Sequence, residues 1–459
     1  LTGLEAVELK LSKVLEDNAT HRLNSEFFRK KYLITKNKLL SLEYKYLSTI
    51  NTFNARYGQP EYDDLSNLKV LNSRYLRDYF LDYDNAKNGY GVIVPKDAVM
   101  INATGVGTLG RVNINYLKEN FSIDNHINIV ITKEINSYYL MTFLKSYYGQ
   151  SQINRYYSGS SGQIEIYPKD FDNFIIPIFS NIFQLQIEST VKLSYQKLEE
   201  SKILYKQSEE LLLNELDLLD FEPSKEKVSI KSFIESFGDS GRLDSEYYLP
   251  KYDIIEKNIE DNSNKSIIKN EFIHIKTKLD KSKDGYNYVE IGNINVSDGT
   301  NISNYILTED LPANAKIKVK SGDLLISTVR PNRGAVTLID ENDTDLVVSG
   351  AFTVLRKKEN SKINTQVLQV LLRTNIYKEL LLKYNVGTQY PVIKDEDVLT
   401  MVIPIIDDTT QSKIEQKIKE SFKLKEDSKQ LLEVAKNAIE IAIKDNEESA
   451  IKLLGVHNA

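Results

Sequence analysis

Cysteine is absent from the 459 residues. That excludes a disulfide framework, a thiol nucleophile, thiolate zinc and iron–sulfur clusters. Histidine is scarce. His21, His126, His274 and His457 stand far apart, and no two have metal-ligand spacing, so no metal site is expected. Tryptophan is missing too, although tyrosine occurs 28 times. No apolar run approaches the ~20 residues of a membrane span, and no signal-peptide pattern opens the chain. These absences predict a cytoplasmic protein without a membrane partner. The chain opens on Leu1 rather than Met, which leaves room for an upstream segment.

What is present is the composition of a globular protein: 41% hydrophobic and 27% charged residues. At ~150 residues per domain the length predicts about two to four domains. The net charge of −6 argues against a surface that is basic throughout, but leaves room for a local basic cleft.

The chain repeats itself. His21-Arg22-Leu23-Asn24-Ser25-Glu26-Phe27-Phe28 returns as Gly241-Arg242-Leu243-Asp244-Ser245-Glu246-Tyr247-Tyr248, 220 residues later. The apolar run 98–102 matches 323–327, and each is followed by a Gly-x-Val step, at Gly110-Arg111-Val112 and Gly334-Ala335-Val336. Ile176-Pro177-Ile178 matches Ile403-Pro404-Ile405, 227 residues on. Seven residues past each proline stands a glutamine, Gln184 or Gln411, and three further an isoleucine, Ile187 or Ile414. Chance recurrence of short apolar strings does not keep five anchors in one order with so little drift. The period is far too long for a solenoid repeat and points to a duplicated domain.

Each copy has two parts. The first mixes strand and turn signals. Val92-Ile93-Val94 and Ile317-Lys318-Val319 read as strands entering turns, and 127–132 and 346–349 as further strands. Single helices are expected around 137–148 and 364–382. The second part, about 180–220 and 407–445, lacks proline and glycine. There Ile187, Val191, Ser194, Leu198, Ser201, Tyr205, Ser208 and Leu212 alternate steps of four and three. Ile414, Ile418, Ser421, Lys425, Ser428, Leu432, Ala435, Ile439 and Ala442 do the same. This is the seam spacing of a coiled coil, and its small residues suit close approach. Either each helix packs on its own globule, or the two pack on each other. The full-length periodicity favours the second. Some forty residues at 1.5 Å each make a rod of about 60 Å, long enough to hold two globules apart.

This layout resembles the DNA specificity (S) subunits of type I restriction–modification systems. The residues that carry the resemblance are Thr104–Val112 and Ser327–Val336, the Ile-Pro-Ile…Gln…Ile hand-over, and the glycine- and glutamine-bearing loops upstream of it, Ser158–Gln163 and Val386–Gln389. The family often has a second proline after Ile-Pro-Ile, where Phe179 and Ile406 stand here. The resemblance implies an α/β (α+β) fold: two tandem α/β target recognition domains, 1–179 and 222–406, separated by two long antiparallel coiled-coil helices, 180–221 and 407–459. It implies a non-catalytic subunit that reads a bipartite, asymmetric site on double-stranded DNA, one half per domain. It also implies partners: two methyltransferase (M) subunits, and restriction (R) subunits. No cofactor is expected in this chain, and S-adenosylmethionine, ATP and Mg are expected in those partners.

Bases are read by Arg, Lys, Asn, Gln, Ser and Thr, and phosphates by these plus Tyr. In the first copy the candidates are Thr104, Thr108 and Arg111 on the Gly-rich turn. The polar stretch from Gln152 adds Asn154, Arg155, Tyr156, Tyr157, Ser158, Ser160, Ser161 and Gln163, read as a loop. In the second copy they are Thr328, Arg330, Asn332 and Arg333, then Lys383, Tyr384, Thr388, Gln389 and Tyr390. Each is equally readable as a solvated loop residue.

Other motifs lead nowhere. Gly105-Val106-Gly107-Thr108-Leu109-Gly110 spells G-x-G-x-x-G, but a strand-like run follows it instead of the helix that a dinucleotide site requires. Glu8-Leu9-Lys10 has no second acid to complete a nuclease motif. There is no Asp/Asn-Pro-Pro-aromatic string for adenine methylation and no Gly-Lys-Ser/Thr phosphate loop. Two other readings stand beside the specificity subunit: the C-terminal recognition region of a fused methyltransferase–endonuclease, and a protein–protein scaffold that does not touch DNA.

Overall fold

The computed structural model describes residues 7–16, 22–77, 79–160, 162–238, 240–261, 264–280, 282–340, 345–387 and 389–457. His21, one end of the first repeat anchor, lies outside them. The chain forms two compact units, Leu1–Glu199 with Leu424–Ala459, and Glu200–Lys423. Each mixes helix and sheet.

In the first unit a four-stranded antiparallel sheet runs in the order Asn51–Arg56, Ile127–Thr132, Val99–Asn102, Val112–Ile114. A second sheet orders Glu61–Tyr62, Lys87–Tyr90, Lys69–Leu71 and Phe121–Ile123, with the last two parallel. Tyr44–Tyr46 pairs with Ile175–Pro177. The second unit repeats this plan. Its antiparallel sheet orders Phe272–His274, Phe352–Lys357, Leu324–Ser327, Val336–Leu338. Its other sheet holds Gly285–Val289 parallel to Leu346–Ser349, flanked by Asn304–Leu307 and Ala315–Val319. Lys265–Ile267 pairs with Val402–Pro404.

Two local expectations need correcting. Ala315–Val319 is a strand, but Val92-Ile93-Val94 is not: only Ile93 makes an isolated bridge, to Ser122. Gly91 before and Pro95 after leave three residues, and a proline has no amide to extend the ladder. Each single helix is in fact two, Ser137–Lys145 then Tyr147–Tyr156, and Thr365–Arg373 then Asn375–Lys383. The breaks fall at Ser146 and Thr374, whose side-chain oxygens accept from the amides of Gly149 and Tyr377 and so cap the second helix.

The long helices are Asn181–Glu215 and Asp408–Lys444. Every residue of the two expected seams is buried, apart from Tyr205, which is partly so. In the first unit the Ser194 hydroxyl donates to the Ser428 carbonyl at 2.8 Å. In the second, the Ser421 hydroxyl donates to the Ser201 carbonyl at 2.8 Å. There Ser201 faces Ser421 while Gln207 meets Lys417, so the helices run antiparallel. They also complete the globules' cores. Val191, Tyr195, Leu432, Ala435 and Ile439 join Val99, Ile101 and Tyr139, and Leu212, Ile414 and Ile418 join Leu324, Ile326 and Leu371.

The repeated anchors turn out to be joints. Gln184 accepts from the Asn136 amide at 2.9 Å and donates to the Phe179 carbonyl at 3.0 Å. Gln411 likewise accepts from Asn364 at 2.7 Å and donates to Ile406 at 3.0 Å. Arg22 lies 5.0 Å over the Phe27 ring and donates to the Tyr156 and Tyr157 carbonyls, each at 2.9 Å. Arg242 lies 4.6 Å over Tyr247 and donates to the Asn385 carbonyl at 2.8 Å.

Candidate nucleic-acid interface

Each unit brings its two candidate segments together. In the first, the Gly-rich turn leaves the end of strand Val99–Asn102 and meets the hairpin Ser158–Ser160 with Gln163–Glu165. Thr104 bridges Glu165, and the Gly105 amide donates to the Ile164 carbonyl at 3.0 Å. Gly105, Gly107 and Gly110 hold φ of +89°, +79° and +83°, a left-handed course that suits glycine. Gly159 (φ +110°) is needed where the hairpin closes, because a Cβ there would lie 2.1 Å from the Gln163 carbonyl oxygen.

On this frame the Thr104 hydroxyl meets His126 Nδ1 at 2.8 Å, and the Thr108 hydroxyl donates back to the Thr104 carbonyl at 3.0 Å. Arg111 is partly exposed and folds over the turn, Nη2 donating to the Gly107 carbonyl at 3.2 Å. Ser158 and Gln163 are exposed on the hairpin, and Tyr157 is partly buried. Ser160 ends the strand Ser158–Ser160. Ser161 lies outside the described residues.

The stretch read as a polar loop from Gln152 is a helix as far as Tyr156. Asn154 is exposed on it, but Arg155 and Tyr156 are in the core. The Arg155 guanidinium stacks 4.2 Å over Phe27 and donates to its carbonyl at 3.1 Å. Tyr156 packs against Phe27 and Phe174. Both are committed to holding the segment that carries the first repeat anchor, which removes them from the DNA-facing set.

Sequence reasoning passed over Arg56. It pairs with Glu165, donates to the Ile166 carbonyl, and lies 5.7 Å from the Tyr167 ring. Burial pushes the Glu165 carboxyl up, but hydrogen bonds from Arg56 and Tyr167 outweigh it and hold the group below its ordinary value. An arginine ending a strand that lies far from both loops in sequence carries no local signal.

In the second unit, Val329 bridges Val392, the Arg330 amide donates to Pro391 at 2.7 Å, and the Ile393 amide donates to Thr328 at 2.9 Å. This is the counterpart of the Thr104–Glu165 contact. Arg330 adopts φ +51°, unusual for a side-chain-bearing residue, and its guanidinium lies 5.2 Å over the exposed Tyr390 ring. Arg330, Asn332, Arg333 and Gln389 are exposed. Among the described residues neither arginine forms an ion pair. The Thr328 hydroxyl is turned inward, to the Ala351 carbonyl at 2.9 Å. Thr388 lies outside the described residues.

Lys383 and Tyr384 differ from expectation. Lys383 is 10% exposed and donates to both Glu256 oxygens at 2.6 Å. Tyr384 packs edge-on to Tyr247, and burial, with the Glu256 charge adding to it, drives its hydroxyl pKa upward. The pair anchors the end of helix Asn375–Lys383.

Among the described residues, no group of three or more acids and histidines could hold a metal ion, and no helix is long and apolar enough to cross a membrane. The chain matches no family model. Over 108 residues, 23% of its length, it is 32% identical to the specificity subunit of type I restriction enzyme HindI from Haemophilus influenzae. The match spans 23% of that relative, under a quarter of its length. Among solved structures, a type I restriction–modification S subunit from M. genitalium aligns at a TM-score of 0.41 and 13% identity, covering 90% of this chain and 96% of that one. The HsdS subunit of Thermoanaerobacter tengcongensis aligns at 0.28 and 10%, covering 88% and 97%. In sequence, then, this chain is similar to the specificity subunit of a type I restriction enzyme.

Proposed function

We propose that the chain is the sequence-specific DNA-binding specificity subunit of a type I restriction–modification system. It reads a bipartite, asymmetric target on double-stranded DNA, with the recognition domain of residues 1–179 on one half and that of 222–406 on the other. It performs no chemistry. It works in the cytoplasm as the platform for two methyltransferase subunits and for restriction subunits, which bring S-adenosylmethionine, ATP and Mg.

The observation that carries this reading is the duplicated site. Both units build it from the same backbone contact, Thr104–Glu165 in one and Val329–Val392 in the other. They then place different side chains on it. The first presents Thr104, Thr108, Arg111, Asn154, Ser158 and Gln163, and the second Arg330, Asn332, Arg333, Gln389 and Tyr390. A common frame with divergent donors suits two readers of unlike sequences, because base identity is read by the donor and acceptor pattern offered to the groove. Arg330 and Arg333 are the strongest base-reading candidates, exposed and flanking Asn332.

Methylome sequencing of a host carrying the chain with its methyltransferase tests this. A split adenine-methylation motif is expected, and exchanging residues 222–406 for those of another such subunit should change one half only. Replacing Arg330 and Arg333 together with alanine should change or abolish modification while partner assembly persists. Unaltered methylation of the same motif at the same rate by that double variant would remove the second loop from the interface.

A further inference from the structure

The joint that both units share is built from different chemistry in each. In the first unit the Ala103 amide donates to the His126 carbonyl at 2.8 Å, and Thr104 bridges Glu165. In the second the Thr328 amide donates to the Ala351 carbonyl at 2.9 Å, and Val329 bridges Val392. The strand registers agree, with Ile101 opposite Asn128 as Ile326 is opposite Thr353. Ala351 is therefore the equivalent of His126, Val329 of Thr104, and Val392 of Glu165. Two valines and an alanine suffice to form the joint. The threonine, histidine and glutamate of the first copy are not needed for it.

His126 is exposed, yet it is firmly placed. Its amide donates to the carboxylate of the buried Asp124 at 3.0 Å, and its carbonyl is held by Ala103. The ring is held as well, because Nδ1 meets the Thr104 hydroxyl at 2.8 Å. Among the described residues, neither that hydroxyl nor the ring makes another side-chain hydrogen bond. The hydroxyl therefore gives its proton to Nδ1, and the neutral ring carries its own proton on Nε2. Glu165 does not compete for the ring, since Arg56 pairs with it and Tyr167 bonds it. The result is a single N–H donor on an exposed ring, fixed before any ligand arrives, and a donor so fixed loses little freedom on binding.

We propose that His126 reads a base edge in the half-site of the first unit. Its Nε2–H donates to a purine N7, guanine O6 or thymine O4 in the major groove, and Thr104 is the positioning residue that holds the ring. The inference rests on the DNA-reading proposal and deepens it. A base is favoured over a phosphate because phosphates are alike in both half-sites and carry no sequence information. The copies differ here, histidine against alanine, as two readers of unlike sequences must.

The test uses the full chain with its methyltransferase. Methylome sequencing first defines the wild-type motif. Fluorescence anisotropy then measures binding to duplexes in which each base pair of that motif is replaced in turn. His126→Ala should lose about five- to tenfold of discrimination at one base pair of one half, the effect of one hydrogen bond. Discrimination at every other pair of both halves should stay as in wild type, which damage to the fold would not allow. Thr104→Val should lose part of the discrimination at that same pair, and Val329 at the equivalent place shows that the joint accepts valine. If His126→Ala discriminates at every pair as wild type does, the ring reads no base. If it weakens all duplexes by the same factor, it has lost a phosphate contact or its fold, and base reading by His126 is again overturned. If wild type yields no split motif and binds no duplex, the DNA-reading proposal itself fails and takes this one with it.

Discussion

Arg373 shows how much of one unit's integrity can rest on one side chain. It is 7% exposed and its three nitrogens reach a hydroxyl and two carbonyls on different elements. Lysine has the charge but not the planar fork, so Arg373→Lys should lose about 2 kcal/mol through acceptors left unpaired. Urea midpoints of the two proteins measure the loss, and equal midpoints would mean that the fork adds nothing. At this scale the sequence was legible only in part. The loop arginines 330 and 333 are exposed as read, because a Pro-Asn dipeptide between them forces a turn. Arg155 and Gln152 deceived, because polar residues can be buried when the backbone satisfies them. Gln152 sits between the amide and carbonyl of Ile175, at 2.8 and 3.0 Å, and so belongs to the core. Nothing local in the sequence announces a partner 23 residues away.

The long helices were the most legible elements. Their apolar and small residues recur at steps of four and three, and that spacing reflects helix geometry alone. What the spacing does not show is the partner residue. Tertiary structure supplied it, setting Ser194 against Ser428 and Ser201 against Ser421 with hydroxyls 3.0 and 3.1 Å apart. Such contact needs small side chains. Ser194→Leu should therefore overpack the seam and lose about 1–3 kcal/mol, and Ser194→Ala should lose only about 1 kcal/mol, the value of its hydrogen bond. Thermal unfolding of both variants checks the order. A leucine variant as stable as the alanine one would mean that the helices separate more easily than this packing implies. The broken helices at Ser146 and Thr374 were read as continuous because a serine or threonine inside an apolar run resembles a tolerated polar residue. Only the observed backbone shows it acting as a cap.

For the whole molecule, the first compact unit is assembled from chain ends that are far apart in sequence, Leu1–Glu199 with Leu424–Ala459. Residues 1–220 expressed alone would lack Leu432, Ala435 and Ile439, and Val191 and Tyr195 would face water. Because the first long helix carries a full seam of its own, that fragment should self-associate, and a dimer is expected by light scattering. A folded monomer would show that the globule does not need the second helix. The tandem duplication, the alternation of mixed domains with long helices, and the seam spacing were determined by the sequence itself, since they rest on recurrence and on periods set by covalent geometry. Tertiary structure alone decided which polar side chains reach solvent and which loops meet. Those outcomes depend on residues brought together from distant parts of the chain, as Gln152 is with Ile175 and Arg56 with Glu165.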